Sequence, residues 1–164
     1  MLEGSDYLKL GIFVLLLILS AFFSSSETAF MALQRVRIIH LVRTRVPGAK
    51  RVLNITQHPE RLLPTVLLGN NLVNTAAAAL GTAMILSLFD NANSAILIAT
   101  GGVTLLLLIF GEIIPKTFAA RHSERFAFTV VHPLQLVDWI LFPLVRALRG
   151  FSTLVARVAG TSGQ

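Results

Sequence analysis

Cysteine is absent from these 164 residues. That excludes disulfides, thiolate metal ligands and a cysteine nucleophile. Charge is scarce: Asp, Glu, Lys and Arg make up 13% of the chain, about half the usual share in a soluble domain. Acidic residues are rarer than basic ones, 8 against 14. Tyrosine and tryptophan occur once each. What abounds is apolar side chain, at 54% of residues. A water-soluble chain of this size could not bury that much apolar surface, so the composition specifies one integral membrane domain, all-α in class.

The apolar residues fall in long runs. Leu10 to Leu33, Leu62 to Phe89 and Ala95 to Phe110 are each close to or above the ~20 residues that cross ~30 Å of hydrocarbon as a helix. They predict three transmembrane helices with kinked or broken segments, over about 8–34, 62–89 and 95–115. The first run is too long for a signal peptide. It also lacks a basic start and a small-residue cleavage site, and it contains Glu27. The polar turn Asp90–Ser94 makes the second and third runs an antiparallel hairpin. Juxtamembrane or interfacial helices are expected over about 36–57 and 117–158, the first interrupted at Pro47-Gly48 and ended at His58-Pro59. Within the second, 129–145 is apolar but holds His132, Pro133, Asp138 and Pro143, with Arg125 before it and Arg146 and Arg149 after it. An interfacial or re-entrant helical hairpin fits those flanks better than a fourth span.

With three spans, 13 of the 14 basic residues lie on one face; only Lys9 does not. Lys and Arg favour the cytoplasmic side. The expected topology is therefore multi-pass in the plasma (inner) membrane, N-terminus outside and C-terminus cytoplasmic. The same distribution reads the positive charge as topology and lipid contact. Nucleic acid is not an expected partner.

Polar residues interrupt all three runs. In the first, Ser20, Ser24 and Thr28 follow i, i+4 spacing, and Glu27 stands three residues after Ser24. Ser25 and Ser26 are explained by packing and by hydroxyls bonding back to the helix. In the second, Gly69 precedes Asn70 and Asn71, and Asn74 shares a face with Asn70. In the third, Pro115 removes the helical bond to the Gly111 carbonyl, beside Glu112. Lys116 would either pair with a carboxylate or snorkel to the inner surface, with snorkelling favoured. A charge at membrane depth costs about 2.5–3.5 kcal/mol on insertion scales, so these groups point to one shared site. Hydroxyl, amide, carbonyl and carboxylate oxygens without sulfur suit a hard cation such as Mg²⁺ or Ca²⁺. No nucleophile–base pair accompanies either carboxylate, so an enzyme is not expected.

Phe23-Ser24-Ser25-Ser26-Glu27-Thr28-Ala29-Phe30, Leu68-Gly69-Asn70-Asn71-Leu72-Val73-Asn74 and Phe110-Gly111-Glu112-Ile113-Ile114-Pro115-Lys116 resemble the three signatures of the CorC/cyclin-M membrane domain. His58-Pro59-Glu60-Arg61 adds to the likeness. The resemblance implies Mg²⁺ transport, usually export, coupled to Na⁺ entry, by a homodimer. It implies metal contacts from Ser24, Glu27, Gly69 (through its carbonyl), Asn70, Asn74 and Glu112. Ser25 stands where the family pattern leads one to expect a small residue, and it and Asn71 are left out of the set. Family members continue into paired nucleotide-binding modules and a further small domain, which these residues do not contain. A membrane-anchored Mg²⁺-binding or sensor module that does not transport is the alternative.

Overall fold

The computed structural model describes residues 4–87 and 92–158. All the described elements are helical: α1 (Gly4–Ala32), α2 (Arg35–Arg43), α3 (Ala49–Gln57), α4 (Pro59–Leu86), α5 (Ala92–Leu106), a π-helical segment (Leu107–Ile113), α6 (Ile114–Arg121) and α7 (Ser123–Val158). The polar turn expected at Asp90–Ser94 lies partly outside the described residues.

The three runs become α1, α4 and the composite of α5, the π segment and α6. Pairing of side chains fixes their directions. Phe13 faces Gly81, Ser20 bonds Asn74 and Phe23 faces Gly69, so α1 and α4 are antiparallel. Ser20 meets Gly111 and Glu27 meets Lys116, so α1 and the third composite helix run parallel. Where packing lacks a hydrophobic drive, small residues let helices approach. Ala29, Ala77, Ala99, Ala119 and Ala127 are accordingly all fully buried.

Three stretches are apolar and long enough to cross a membrane by length and composition: Asp6–Ala32, Ile96–Arg121 and Ser123–Ala147. Two of them hold the first and third expected spans. The last is part of α7. The expected second span, α4, is less apolar because it carries Asn70, Asn71 and Asn74. It nevertheless lies along α1 from Phe13 to Phe23 and so shares its depth. Helix α4 is continuous through both Pro64 and Gly69.

Helices α2 and α3 form the expected amphipathic pair, with Ile38, Leu41, Ala49 and Val52 buried. Helix α3 packs against α1 and α7, where Ala127, Val130, Val131 and Leu134 are buried, while α2 packs on α3 and is tied to α7 by the Arg37–Glu124 ion pair. The α7 segment is one unbroken helix through Pro133 and Pro143, not a hairpin. Its buried residues recur at i, i+3, i+4 and i+7, which gives it a single docking face. Proline removes one backbone donor, but a helix held along one side by neighbours tolerates the loss.

Thr65 of α4, fully buried, donates a hydrogen bond of 2.5 Å to the Asp138 carboxylate of α7. Thr65→Val is expected to destabilise the fold by about 1.5–3 kcal/mol, because it leaves a partly buried carboxylate without its donor. A lowered thermal midpoint in detergent checks this. An unchanged midpoint would mean the bond carries no stability.

Candidate functional site

The polar residues of α1, α4 and the π segment converge. Ser20 is fully buried and its hydroxyl donates to Asn74 Oδ1 at 2.5 Å. Asn74 Nδ2 donates to Glu112 Oε1 at 3.2 Å. The Ser20 hydroxyl also lies 3.5 Å from the Gly111 carbonyl. One chain of contacts thus joins all three helices through a hydroxyl, an amide, a carboxylate and a backbone oxygen. An opening of about 490 Å³ beside Asn74 and Glu112 is lined also by Thr75, Ala78, Thr104, Leu107 and Leu108.

One turn further along both helices lie Ser24 and Asn70, about 6 Å from the first level by helical rise. Ser24 Oγ and Asn70 Oδ1 are buried and have no hydrogen-bond partner among the described residues. Leaving a buried polar atom unpaired costs about 1–3 kcal/mol, and such groups call for a specific explanation. The antiparallel register that sets Ser20 against Asn74 also sets Ser24 against Asn70. A hydroxyl and an amide oxygen on neighbouring helices are therefore each buried without a partner, one turn from the Asn74–Glu112 pair.

Local structure explains why the oxygens are available. Ser25 and Ser26 spend their hydroxyls on the Ala21 and Phe22 carbonyls of their own helix. Thr28 bonds the Ser24 carbonyl at 3.1 Å. The π segment spans the Gly111-Glu112 step, and the Ile114 N–H bonds back to the Ile109 carbonyl, five residues earlier. π-turns widen a helix and occur frequently at functional sites. A Cβ on Gly111 would lie 2.5 Å from Ser20 Oγ, so only glycine admits that hydroxyl.

The sequence-derived set is thus distributed as follows. Asn74 and Glu112 are bonded to each other, and Ser24 and Asn70 lie one turn away. Gly69 sits within continuous helix; its missing Cβ makes room for the Phe23 ring, which would otherwise be at 2.5 Å. Glu27 faces Lys116 at 3.7 Å and lines a separate cavity of about 210 Å³ with Arg35, Thr56 and apolar neighbours. Lys116 therefore pairs with a carboxylate rather than only snorkelling. Ser20 belongs to the site although it was not among the expected ligands; its i, i+4 relation to Ser24 was the available signal. The described residues contain no group of three or more His, Cys, Asp or Glu side chains placed to hold a metal. Any ion here would be held mainly by neutral oxygens.

Residues 11–164 match the cyclin M transmembrane N-terminal domain family. The chain is 40% identical over 142 residues to the UPF0053 inner membrane protein YfjD of Escherichia coli, covering 87% of this chain and 33% of that protein. It is 38% identical over 149 residues to a UPF0053 protein of Haemophilus influenzae, covering 91% of this chain and 35% of the relative. A chloroplastic DUF21 domain-containing protein of Arabidopsis thaliana is 33% identical over 154 residues, covering 93% and 23% respectively. The chain thus spans about a third or less of the length of these relatives.

Proposed function

The chain belongs to the cyclin M transmembrane domain family, and from that premise and the oxygen site between its helices we propose that it transports Mg²⁺. The observation that carries the reading is the pair of buried, unpartnered acceptors Ser24 Oγ and Asn70 Oδ1 beside the Asn74–Glu112 pair. Acceptors with no donor are suited to a cation. An all-oxygen set suits Mg²⁺ better than zinc or copper. Glu112 supplies the charge, Asn70 and Asn74 the amide oxygens, Ser24 the hydroxyl, and Gly69 a candidate carbonyl. With few charged ligands the affinity is modest, as a carrier requires if it is to release its ion.

In this reading α1, α4 and the third composite helix are the spans, with the basic α2–α3 side cytoplasmic. The π segment and its glycine give the third span a point of rearrangement, so that the site opens to each side in turn. Na⁺ entry is the proposed driving force for export. Glu27, with Lys116 across from it, stands on the cytoplasmic side of the site, as an ion contact or in the coupling step. Thr75, Ala76 and Ala79 leave a small-residue face exposed on α4, suited to a second copy in a homodimer.

The test is Mg²⁺ flux into proteoliposomes with and without a Na⁺ gradient. Flux accelerated by the gradient supports coupled export. Flux indifferent to Na⁺ removes the coupling and leaves the transport. Mg²⁺ binding without flux favours a membrane-anchored binding module. Ser24→Ala separates site from scaffold. It removes a buried hydroxyl that has no partner, so the thermal midpoint without Mg²⁺ should hold or rise, by up to about 1–3 kcal/mol equivalent. The extra stability conferred by Mg²⁺ should need roughly tenfold more ion. Unchanged Mg²⁺ dependence would take Ser24 out of the site.

A further inference from the structure

We propose that the cleft between the α2–α3 turn and α7 binds the phosphate headgroup of an acidic membrane lipid. The cleft has a volume of about 830 Å³. Arg45, Lys50, Arg51 and His132 line it together with Val46 and Phe128, and no carboxylate does. The Arg51 guanidinium contacts His132 Nε2. Because guanidinium only donates, that nitrogen accepts, and Arg51 is held across the cleft from α3 to α7.

Two local features run against the fold's own preferences, and one bound anion answers both. Helix α2 ends in a paired closing turn: Val46 N–H bonds the Leu41 carbonyl at 3.0 Å and Arg45 N–H bonds the Val42 carbonyl at 3.1 Å. The residue at Arg45's place in this motif is left-handed and is usually glycine. Arg45 occupies it with φ +58°, alone among the described non-glycine residues in having positive φ. A side chain kept where glycine fits better points to a use for that side chain. Next, Lys50 and Arg51 fall in the first turn of α3, where the helix dipole disfavours positive charge. The start of α3 adds its dipole: the Ala49 and Arg51 N–H groups already bond the Val46 and Gly48 carbonyls, but the positive end of the helix still favours an anion, and the basic groups around it would be relieved by the same ion.

The surroundings select a lipid over a free phosphate. Phe128 and Val46 give the cleft apolar walls. On α7, Leu136 and Trp139 follow His132 by four and seven residues, on the same side of the helix, and both are exposed, Trp139 at 77%. Tryptophan at such a position sits at headgroup level. A headgroup in the cleft would lay its chains along this stripe.

Trp139 is the only tryptophan in the chain and so reports the lipid beside it. The protein is reconstituted in phosphatidylcholine vesicles holding a minor fraction of phosphatidic acid with brominated chains, and fluorescence quenching is compared with the same fraction of brominated phosphatidylcholine. The phosphatidic acid should quench several-fold more. Lys50→Gln and Arg51→Gln should each lower the preference about fivefold, the weight of one basic group near an anionic lipid. Arg125→Gln, on α7 outside the cleft lining, should leave it unchanged. Arg45→Gly should lower the preference while holding or raising the thermal midpoint, which a purely structural arginine would not do. Equal quenching by both lipids, an equal loss in Arg125→Gln, or full competition by inorganic phosphate would each overturn the proposal, the last by assigning the cleft to soluble phosphate.

Discussion

Replacing Glu112 with alanine should reduce Mg²⁺ flux by about a hundredfold or more, in the range lost when a metal site is stripped of an essential partner. Glu112 is the carboxylate at the junction of α1, α4 and the π segment, where Asn74 Nδ2 holds it at 3.2 Å. The nearest alternative, Glu27, is turned to Lys116 and lines another cavity. The remaining candidate ligands are neutral, so a divalent ion in the alanine variant would have no opposite charge in a low-dielectric site. Glu112→Gln sharpens the test. It can still accept from Asn74, so the fold is retained, and it loses only the charge. Both variants should fold and neither should transport. Wild-type flux in either one would remove Glu112 from the ion path.

The second large effect is on the fold. Gly69→Ala should destabilise the protein by about 1–3 kcal/mol, the cost of overpacking a close contact. Helix propensity alone predicts the reverse, a gain of about 1 kcal/mol for alanine over glycine. Packing wins because the added Cβ would lie 2.5 Å from two carbons of the Phe23 ring. That ring is buried and packs edge-on against Phe22, with centroids 5.4 Å apart. It cannot withdraw without separating α1 from α4. Ser24 and Asn70 are each one residue from this contact, so separation would also pull the two acceptors apart. Thermal unfolding in detergent checks the loss, and Phe23→Leu in the same chain should recover part of it. A higher midpoint in Gly69→Ala would show that the two helices are not held this closely.

The polar groups of the candidate site were legible in the chain because ionisable and amide groups in apolar runs must find partners, and spacing within one helix shows which of them share a face. Ser24 with Ser20, and Asn70 with Asn74, follow from i, i+4 alone. Register between helices is a different quantity. Nothing in the spacing along α1 says that Ser20 lies opposite Asn74, or that Glu27 lies opposite Lys116, because small residues such as Gly69, Gly81 and Gly111 set that register through contacts with Phe23, Phe13 and Ser20. Hence spacing alone favours snorkelling over a carboxylate partner for Lys116, while the parallel run of α1 and the third helix brings it to Glu27. Pro115 marks a break in the third helix, but spacing does not show the π form taken over Leu107–Ile113, where Ser20 packs against Gly111. For α7, two prolines and flanking charge suggested a hairpin; docking of Ala127, Val130, Val131 and Leu134 along one side keeps it a single helix.

In the proposed reading a divalent ion sits among Ser24, Asn70, Asn74 and Glu112. Mn²⁺ takes the same octahedral oxygen coordination as Mg²⁺ and scatters anomalously. The most direct measurement is therefore an anomalous difference map from crystals of the protein grown with Mn²⁺. A peak is expected between α1, α4 and the π segment, within bonding distance of Asn70 Oδ1 and the Glu112 carboxylate, and lost when excess Mg²⁺ is added. A peak at Glu27 instead, or none between these helices at saturating Mn²⁺, would contradict it.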